Sequence, residues 1–156
     1  MVLVALAMAL TASAQFEEGK FYTNASLDGL GVSYNGASGL KFGVSAQAGY
    51  FIVDNWMVLA KAGLSTQTKE SSDNTVLSLG VGARYYIIQN GLYLGLNAQY
   101  KHAHNYNDLV PEIEIGYAFF VNKNVTIEPA IYYDQSFKDH GKFSTIGARV
   151  GLGFYF

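Results

Sequence analysis

The stretch Leu40–Ile52 reads LKFGVSAQAGYFI, and its parity decides the fold. Leu40, Phe42, Val44, Ala46, Ala48, Tyr50 and Ile52 fall on one set of alternate positions, and Lys41, Gly43, Ser45, Gln47 and Gly49 on the other. Successive side chains of a strand point to opposite faces, so this is a strand with one apolar face and one small, polar face. The pattern recurs along the chain. Leu77, Leu79, Val81, Ala83, Tyr85 and Ile87 oppose Val76, Ser78, Gly80, Gly82 and Arg84; Leu92, Leu94, Leu96, Ala98 and Tyr100 oppose Gly95, Asn97, Gln99 and Lys101. Ile146, Ala148, Val150, Leu152, Phe154 and Phe156 oppose Gly147, Arg149, Gly151 and Gly153.

Composition agrees with alternation. Half of the 156 residues are hydrophobic and only 14% are charged, yet after the first fourteen residues no apolar run reaches the roughly 18 that a membrane helix needs. The apolar residues are therefore distributed by alternation, in one domain. A net charge of −2 without a basic run excludes a nucleic-acid surface and a polybasic lipid patch. The absence of cysteine excludes disulfides, thiolate metal sites and cysteine nucleophiles.

Residues 1–14, MVLVALAMALTASA, form an apolar stretch ending in Ala12-Ser13-Ala14, the small-residue pattern that a signal peptidase accepts before Gln15. They are expected to be a cleavable signal peptide, with residues 15–156 as the mature barrel. No Lys or Arg precedes Gln15, which predicts a true start upstream of Met1.

Turn chemistry divides the mature chain. Val53-Asp54-Asn55, Gln89-Asn90-Gly91 and Asn122-Lys123-Asn124 are short connections rich in residues that tolerate positive φ. They recur as a weak repeat of about 35 residues, one hairpin per unit. Between them lie longer polar connections at Tyr34–Gly39, Gln67–Asn74, His102–Asp108 and Ser136–Lys142. Eight strands result, near 20–33, 40–52, 56–66, 75–88, 92–101, 109–121, 125–135 and 143–156, with a bulge expected at Gly29–Gly31 in the first. Short and long connections alternate strictly, as in an all-β, antiparallel up-and-down transmembrane β-barrel with short periplasmic turns and longer outer loops.

The two faces separate a membrane barrel from a soluble, lipocalin-like one. The polar set is small and glycine-rich and the apolar set is large, which suits lipid outside and a narrow, filled lumen inside. Tyr50, Trp56, Tyr85, Tyr117, Phe119, Phe154 and Phe156 gather beside the short turns, with Tyr100 and Tyr133 towards the loops. Amphipathic rings at strand ends read as girdles at the membrane interface.

The signal, the eight strands, the aromatic C-terminal strand GARVGLGFYF and the terminal Phe156 resemble the small eight-stranded outer-membrane proteins of the OmpA/OmpX-like type. The Ala-Ser-Ala-Gln of the cleavage site and the tyrosine-rich hairpins are similar to the porin-family barrels of Bacteroidetes. The resemblance covers the mature chain. It implies a bacterial outer-membrane location with both termini periplasmic, contact with outer-membrane lipids, and Phe156 as part of the signal read by the barrel assembly machinery.

Parity places Lys41, Lys61, Arg84, Lys101 and Arg149 in the lumen with Glu112, Glu114, Glu128 and Asp134, joined by Asp28. Charges in a narrow lumen lose water and need partners, so they are expected to form a mutually satisfied network. A gated or ion-selective pore is the sharper alternative, but eight strands enclose little more than their own side chains. Glu112 and Glu114 also form a carboxylate pair, without other signs of a glycan cleft. His102 and His104 could share a metal from one strand face, with Asp108 nearby and no third ligand in view. Ser136, Asp139 and His140 could imitate the rim set of an outer-membrane lipid A acyltransferase or omptin-type protease. Gly80-x-Gly82 and Gly151-x-Gly153 lack the following helix or Lys-Ser/Thr of a phosphate loop, so they read as space for bulky lumen residues.

The expectation is a non-enzymatic surface barrel with no cofactor, whose short outer loops serve envelope integrity, adhesion or host contact. A narrow porin or transporter of small or hydrophobic solutes is the alternative, and an envelope enzyme the third reading.

Overall fold

A computed structural model describes residues 16–28, 41–67, 74–87, 91–103, 106–137 and 145–156. The strands are β1 (Phe21–Asp28), β2 (Lys41–Val53), β3 (Trp56–Gln67), β4 (Asn74–Tyr86), β5 (Leu92–Ala103), β6 (Tyr106–Tyr117), β7 (Phe119–Phe120), β8 (Val125–Asp134) and β9 (Thr145–Tyr155). β6 and β7 are one barrel strand broken only at Ala118, because Gly116 opposite Ala130 and Phe119 opposite Ile127 keep one register on β8. Each strand pairs antiparallel with its sequence neighbour, and β1 also pairs with β9. The sheet closes on itself with eight strands and leaves no edge.

The stagger follows from the pairing. Stepping across the ring from Ser65 leads through Gly43, Asp28, Arg149, Ala130, Gly116, Tyr93 and Tyr86 back to β3. The return lands on Asn55, whose carbonyl accepts the Tyr86 amide; from Ser65 to Asn55 is a displacement of ten residues. Eight strands with that stagger tilt by roughly 40° from the barrel axis, given the rise per residue and the strand spacing. The enclosed space is then about one layer of side chains from wall to wall.

Alternation sets the faces as the parity predicts. In β1 and β9 buried and exposed residues alternate, and Val81, Leu96, Ile113, Ile131 and Leu152 all stand on the outer surface. A soluble protein rarely exposes so continuous an apolar band. On the inner face, glycines sit where neighbours approach. A Cβ on Gly151 would meet the Asn24 side chain at 2.5 Å, and one on Gly82 would strike Asn97 and the Leu96 carbonyl.

The short connections use the expected chemistry. Asn55 takes φ 65 and Gly91 φ 89, and the Asn122 side chain accepts the amides of Asn124 and Val125 at 2.8 and 2.9 Å. One long connection is not as expected. β5 runs on to Ala103 and β6 begins at Tyr106, with Lys101 opposite Asp108 and His102 opposite Asn107. His102, Asn107 and Asp108 therefore belong to strands, His102 and Asn107 facing outward and Asp108 inward, and the strict alternation of short and long connections fails there, while residues 104–105 lie outside the described residues. Gly29–Gly31, Tyr34–Gly39 and the middle parts of the loops at Gln67–Asn74 and Ser136–Lys142 lie outside the described residues.

Candidate functional site: the lumen

The inner face carries a continuous network of ion pairs. At its centre Arg149 of β9 donates to Glu112 and Glu114 of β6, which sit two positions apart and so point the same way. Nη2 lies 2.7 Å from Glu112 Oε2, and Nη1 lies 2.8 Å from Glu114 Oε2. Arg149 also contacts Asp28 at 3.0 Å, and its guanidinium lies 4.2 Å from the centre of the Tyr132 ring. Lys61 of β3 reaches across to Glu112 at 3.0 Å, where Asn97 and Gln99 donate as well. A carboxylate with this many donors is held against rotation, and only such saturation offsets the cost of drying it.

Towards the short turns the network passes to Arg84. Its guanidinium donates to Glu114 at 2.8 Å, to Glu128 at 3.2 Å and to Gln47 at 3.0 Å, and packs 4.0 Å over the Tyr93 ring. A planar fork stacked on an aromatic face is a task that Arg performs and Lys does not. Glu128 in turn accepts the hydroxyls of Tyr22, Tyr155 and Thr126 at 2.5, 2.9 and 2.7 Å. Arg84, Glu112, Glu114 and Glu128 are all at most 2% exposed.

Beneath this lies an aromatic layer. Tyr86 and Tyr155 share a hydroxyl–hydroxyl hydrogen bond of 3.0 Å, and Phe51, Phe120 and Met57 surround them. Phe16, ahead of β1, stacks on Tyr86 at a 4.0 Å ring separation and contacts Phe51, Phe120 and Tyr155. The inner set is thus not only small and glycine-rich, as its sequence suggests; Tyr22, Phe51, Tyr86, Tyr93, Tyr132 and Tyr155 share the inward parity. Their parity is the signal that marks them, masked by the glycines at the same positions, whereas Phe16 lies outside any periodic run.

Towards the other end the lumen keeps a polar recess of about 70 Å³, lined by Lys61, Glu112, Asp134, Arg149 and the hydroxyls of Ser65, Ser78 and Thr145. That is room for a few waters beside carboxylates that need them. Lys101 bonds Asp134 at 2.5 Å at its margin, and Asp134 Oδ1 is buried there without a hydrogen-bond partner among the described residues.

The structure therefore brings together Lys61, Arg84, Lys101, Glu112, Glu114, Glu128, Asp134 and Arg149, with Asp28. Lys41 opens β2, but its side chain lies outside the described residues. The Glu112–Glu114 pair is engaged by Arg149, Lys61 and Arg84, and the recess of about 70 Å³ that Glu112 lines is too small for a sugar ring. His102 stands exposed on the barrel with Nδ1 2.6 Å from Asn107 Oδ1, and His104 lies outside the described residues. No group of three or more potential metal ligands occurs among the described residues. Ser136 is fully buried and donates to Asp108 at 2.7 Å, while Asp139 and His140 lie outside the described residues.

On the outer face Tyr50, Trp56, Phe119, Phe154 and Phe156 are exposed near the short turns, with Tyr85 and Tyr117 half-buried among them. Trp56 pairs with Tyr85 at 4.9 Å, and Tyr117 with Phe119 at 4.3 Å. Phe156 also joins the seam: its amide donates to the Phe21 carbonyl and its carbonyl accepts the Phe21 amide.

No protein-family model matches the chain, and no curated protein matches it. Solved structures do. The outer-membrane protein Ail of Yersinia pestis, seen in a phospholipid bilayer nanodisc, aligns with a TM-score of 0.63 at 14% identity, covering 89% of this chain and all (100%) of that one. The N-terminal β-barrel domain of Pseudomonas aeruginosa OprF gives 0.61 at 14%, covering 89% and 98%, and neisserial surface protein A gives 0.58 at 18%, covering 88% and 96%. The fold is an eight-stranded transmembrane β-barrel. At these identities the likeness concerns the barrel fold alone.

Proposed function

We propose that the protein is a non-enzymatic barrel of the bacterial outer membrane, a rigid scaffold with a closed lumen that displays its longer connections outside the cell. Its short turns and both termini then face the periplasm, and Phe156 serves as the terminal aromatic recognised during barrel assembly. The observation that carries this reading is the filling of the lumen: Arg84, Arg149, Glu112, Glu114 and Glu128 interlock across it above a layer of stacked rings. Such a core supports a rigid wall and a lumen that does not conduct. The fold neighbours, all membrane barrels of this strand number, are compatible with that role.

The polar recess favours the runner-up, passage of a small solute, only as far as the Glu112 level, where the ion pairs close it. Reconstitution into liposomes separates the two. Vesicles containing the barrel should hold an ion gradient as tightly as empty ones; single-channel steps or solute-driven swelling would overturn the closed-scaffold reading. A heat-dependent shift in gel mobility should accompany insertion, and solubility without detergent would refute the membrane assignment.

A further inference from the structure

Residues 16–20 are not part of any strand, yet they are bound to the barrel at four points. The Phe16 carbonyl accepts the Asn55 amide at 2.7 Å, Glu18 N donates to Asp54 Oδ1 at 2.9 Å, Gly19 N donates to the Phe51 carbonyl at 2.9 Å, and Lys20 O accepts from Phe51 N at 3.0 Å. Gly19, at φ +87, reverses the chain there, a conformation that glycine adopts without cost. The reversal carries Phe16 back under the barrel, where it is 2% exposed. Its ring contacts come from β2, β4, β7 and β9, so one side chain spans the mouth and bridges strands from both halves of the ring.

The binding is uneven. The ring is held by apolar and aromatic contact alone, which is strong only while the segment stays seated. Glu17, Glu18 and Gly19 are exposed and face solvent. A short, solvated strap with one buried anchor opens locally at a cost well below that of unfolding the strands.

We propose that Phe16 is a releasable stopper: an aromatic cage of Phe51, Tyr86, Phe120 and Tyr155 at the short-turn mouth takes this chain's own Phe16 as its ligand, and the 16–20 strap seals the lower lumen from water. Seated, it excludes water from the Tyr86–Tyr155–Glu128 hydroxyl chain; released, it opens a vestibule that ends at Arg84. The proposal deepens the closed-scaffold reading by assigning the inner seal to the strap and the permanent block to the charges. The two fail separately, because ion flux reads the charges and access to the vestibule reads the strap.

The chain has no cysteine, so a single one is a clean reporter. Ala118 is 1% exposed in the aromatic layer, and cysteine adds a single heavy atom there. Ala118→Cys, in the otherwise full chain folded in lipid vesicles, is to be modified by a membrane-impermeant thiol reagent supplied to the short-turn side. The expected result is slow labelling with Phe16 present and labelling faster by about tenfold or more with Phe16→Ala, since a truncated anchor no longer resists local opening. Phe16→Tyr should keep the slow rate. Asp54→Ala, which loosens the strap without touching the cage, should give an intermediate rate and serves if Phe16→Ala does not fold. Labelling that is already as fast as in the denatured chain, or that ignores both Phe16→Ala and Asp54→Ala, would overturn the stopper while leaving the tight-vesicle result intact.

Discussion

Arg149 and Glu112 meet inside the lumen as a two-pronged pair, Nη1 to Oε1 at 3.1 Å and Nη2 to Oε2 at 2.7 Å, joining β9 to β6 past the intervening β8, through the interior and not through the wall. Backbone pairing already closes the ring, so this contact fixes something else. It ties together β6 and β9, two strands that do not pair with each other, and fills the space that a pore would need.

Glu112 is the point at which removing one partner costs most, because Lys61 and Arg149 both depend on it. Glu112→Gln leaves two buried cations short of a counter-charge and should cost about 3–5 kcal/mol of stability, the usual penalty for breaking a buried pair from one side. Adding Lys61→Met should recover part of that loss, since the stranded ammonium goes too. Denaturant unfolding from lipid vesicles measures both. A double variant as unstable as the sum of the single ones would show that Lys61 and Glu112 are not coupled.

Gly153 tests how tightly the lower network is packed. A Cβ there would meet Glu128 Oε1 and Thr126 Oγ1, which are already bonded to each other. Gly153→Ala should therefore destabilise the barrel by about 1–3 kcal/mol through overpacking, with the hydroxyls of Tyr22 and Tyr155 losing their shared acceptor. Gly19→Ala meets no atom within 4 Å, so its cost should come from backbone strain alone. Equal losses with no change in the tyrosine near-ultraviolet signal of Gly153→Ala would contradict the packing argument.

These residues also mark where the sequence is legible and where it is not. Parity alone placed Lys61, Arg84 and Arg149 on the inner face, because a strand has two faces and the lipid side admits no charge. It does not say which acid each meets: Arg149 reaches Glu112 and Glu114 past β8, a relation set by the register of β6, β8 and β9 and not by any local spacing. The ends were least legible. Polar composition at His102–Asp108 suggests a loop, yet the outward His102 pairs with Asn107 while the inward Asp108 faces Lys101 in register, so both ends of the segment are strand. Phe16 gave no periodic signal at all, because its place depends on a turn at Gly19 and on rings from four distant strands.

The single tryptophan offers a test that needs no substitution. Trp56 is half exposed on the outer surface, pairs with Tyr85, and opens β3 directly after a short turn. On folding into vesicles its emission should shift to shorter wavelength, and lipids brominated near the headgroup should quench it more than lipids brominated near the chain ends. The reverse order would move the girdle, and with it the membrane, to another level of the barrel.

Depth along the wall gives the most direct test that the apolar band is a lipid face. Val81 stands in the middle of β4, opposite Ala60 and Ala98, and is 66% exposed. Val53 stands at the end of β2 beside the Asp54–Asn55 turn and is 54% exposed. In water the two sites are alike, and an arginine at either would cost little. In a bilayer they differ: Val81→Arg should destabilise by about 2–4 kcal/mol at the midplane, whereas Val53→Arg should cost about 0–1 kcal/mol at the interface. The unfolding free energies of both variants in phospholipid vesicles decide it. Equal, small losses would place the Val81 face in water and remove the bilayer from the account, whereas a gradient from Val53 to Val81 locates the hydrocarbon core on the strands themselves.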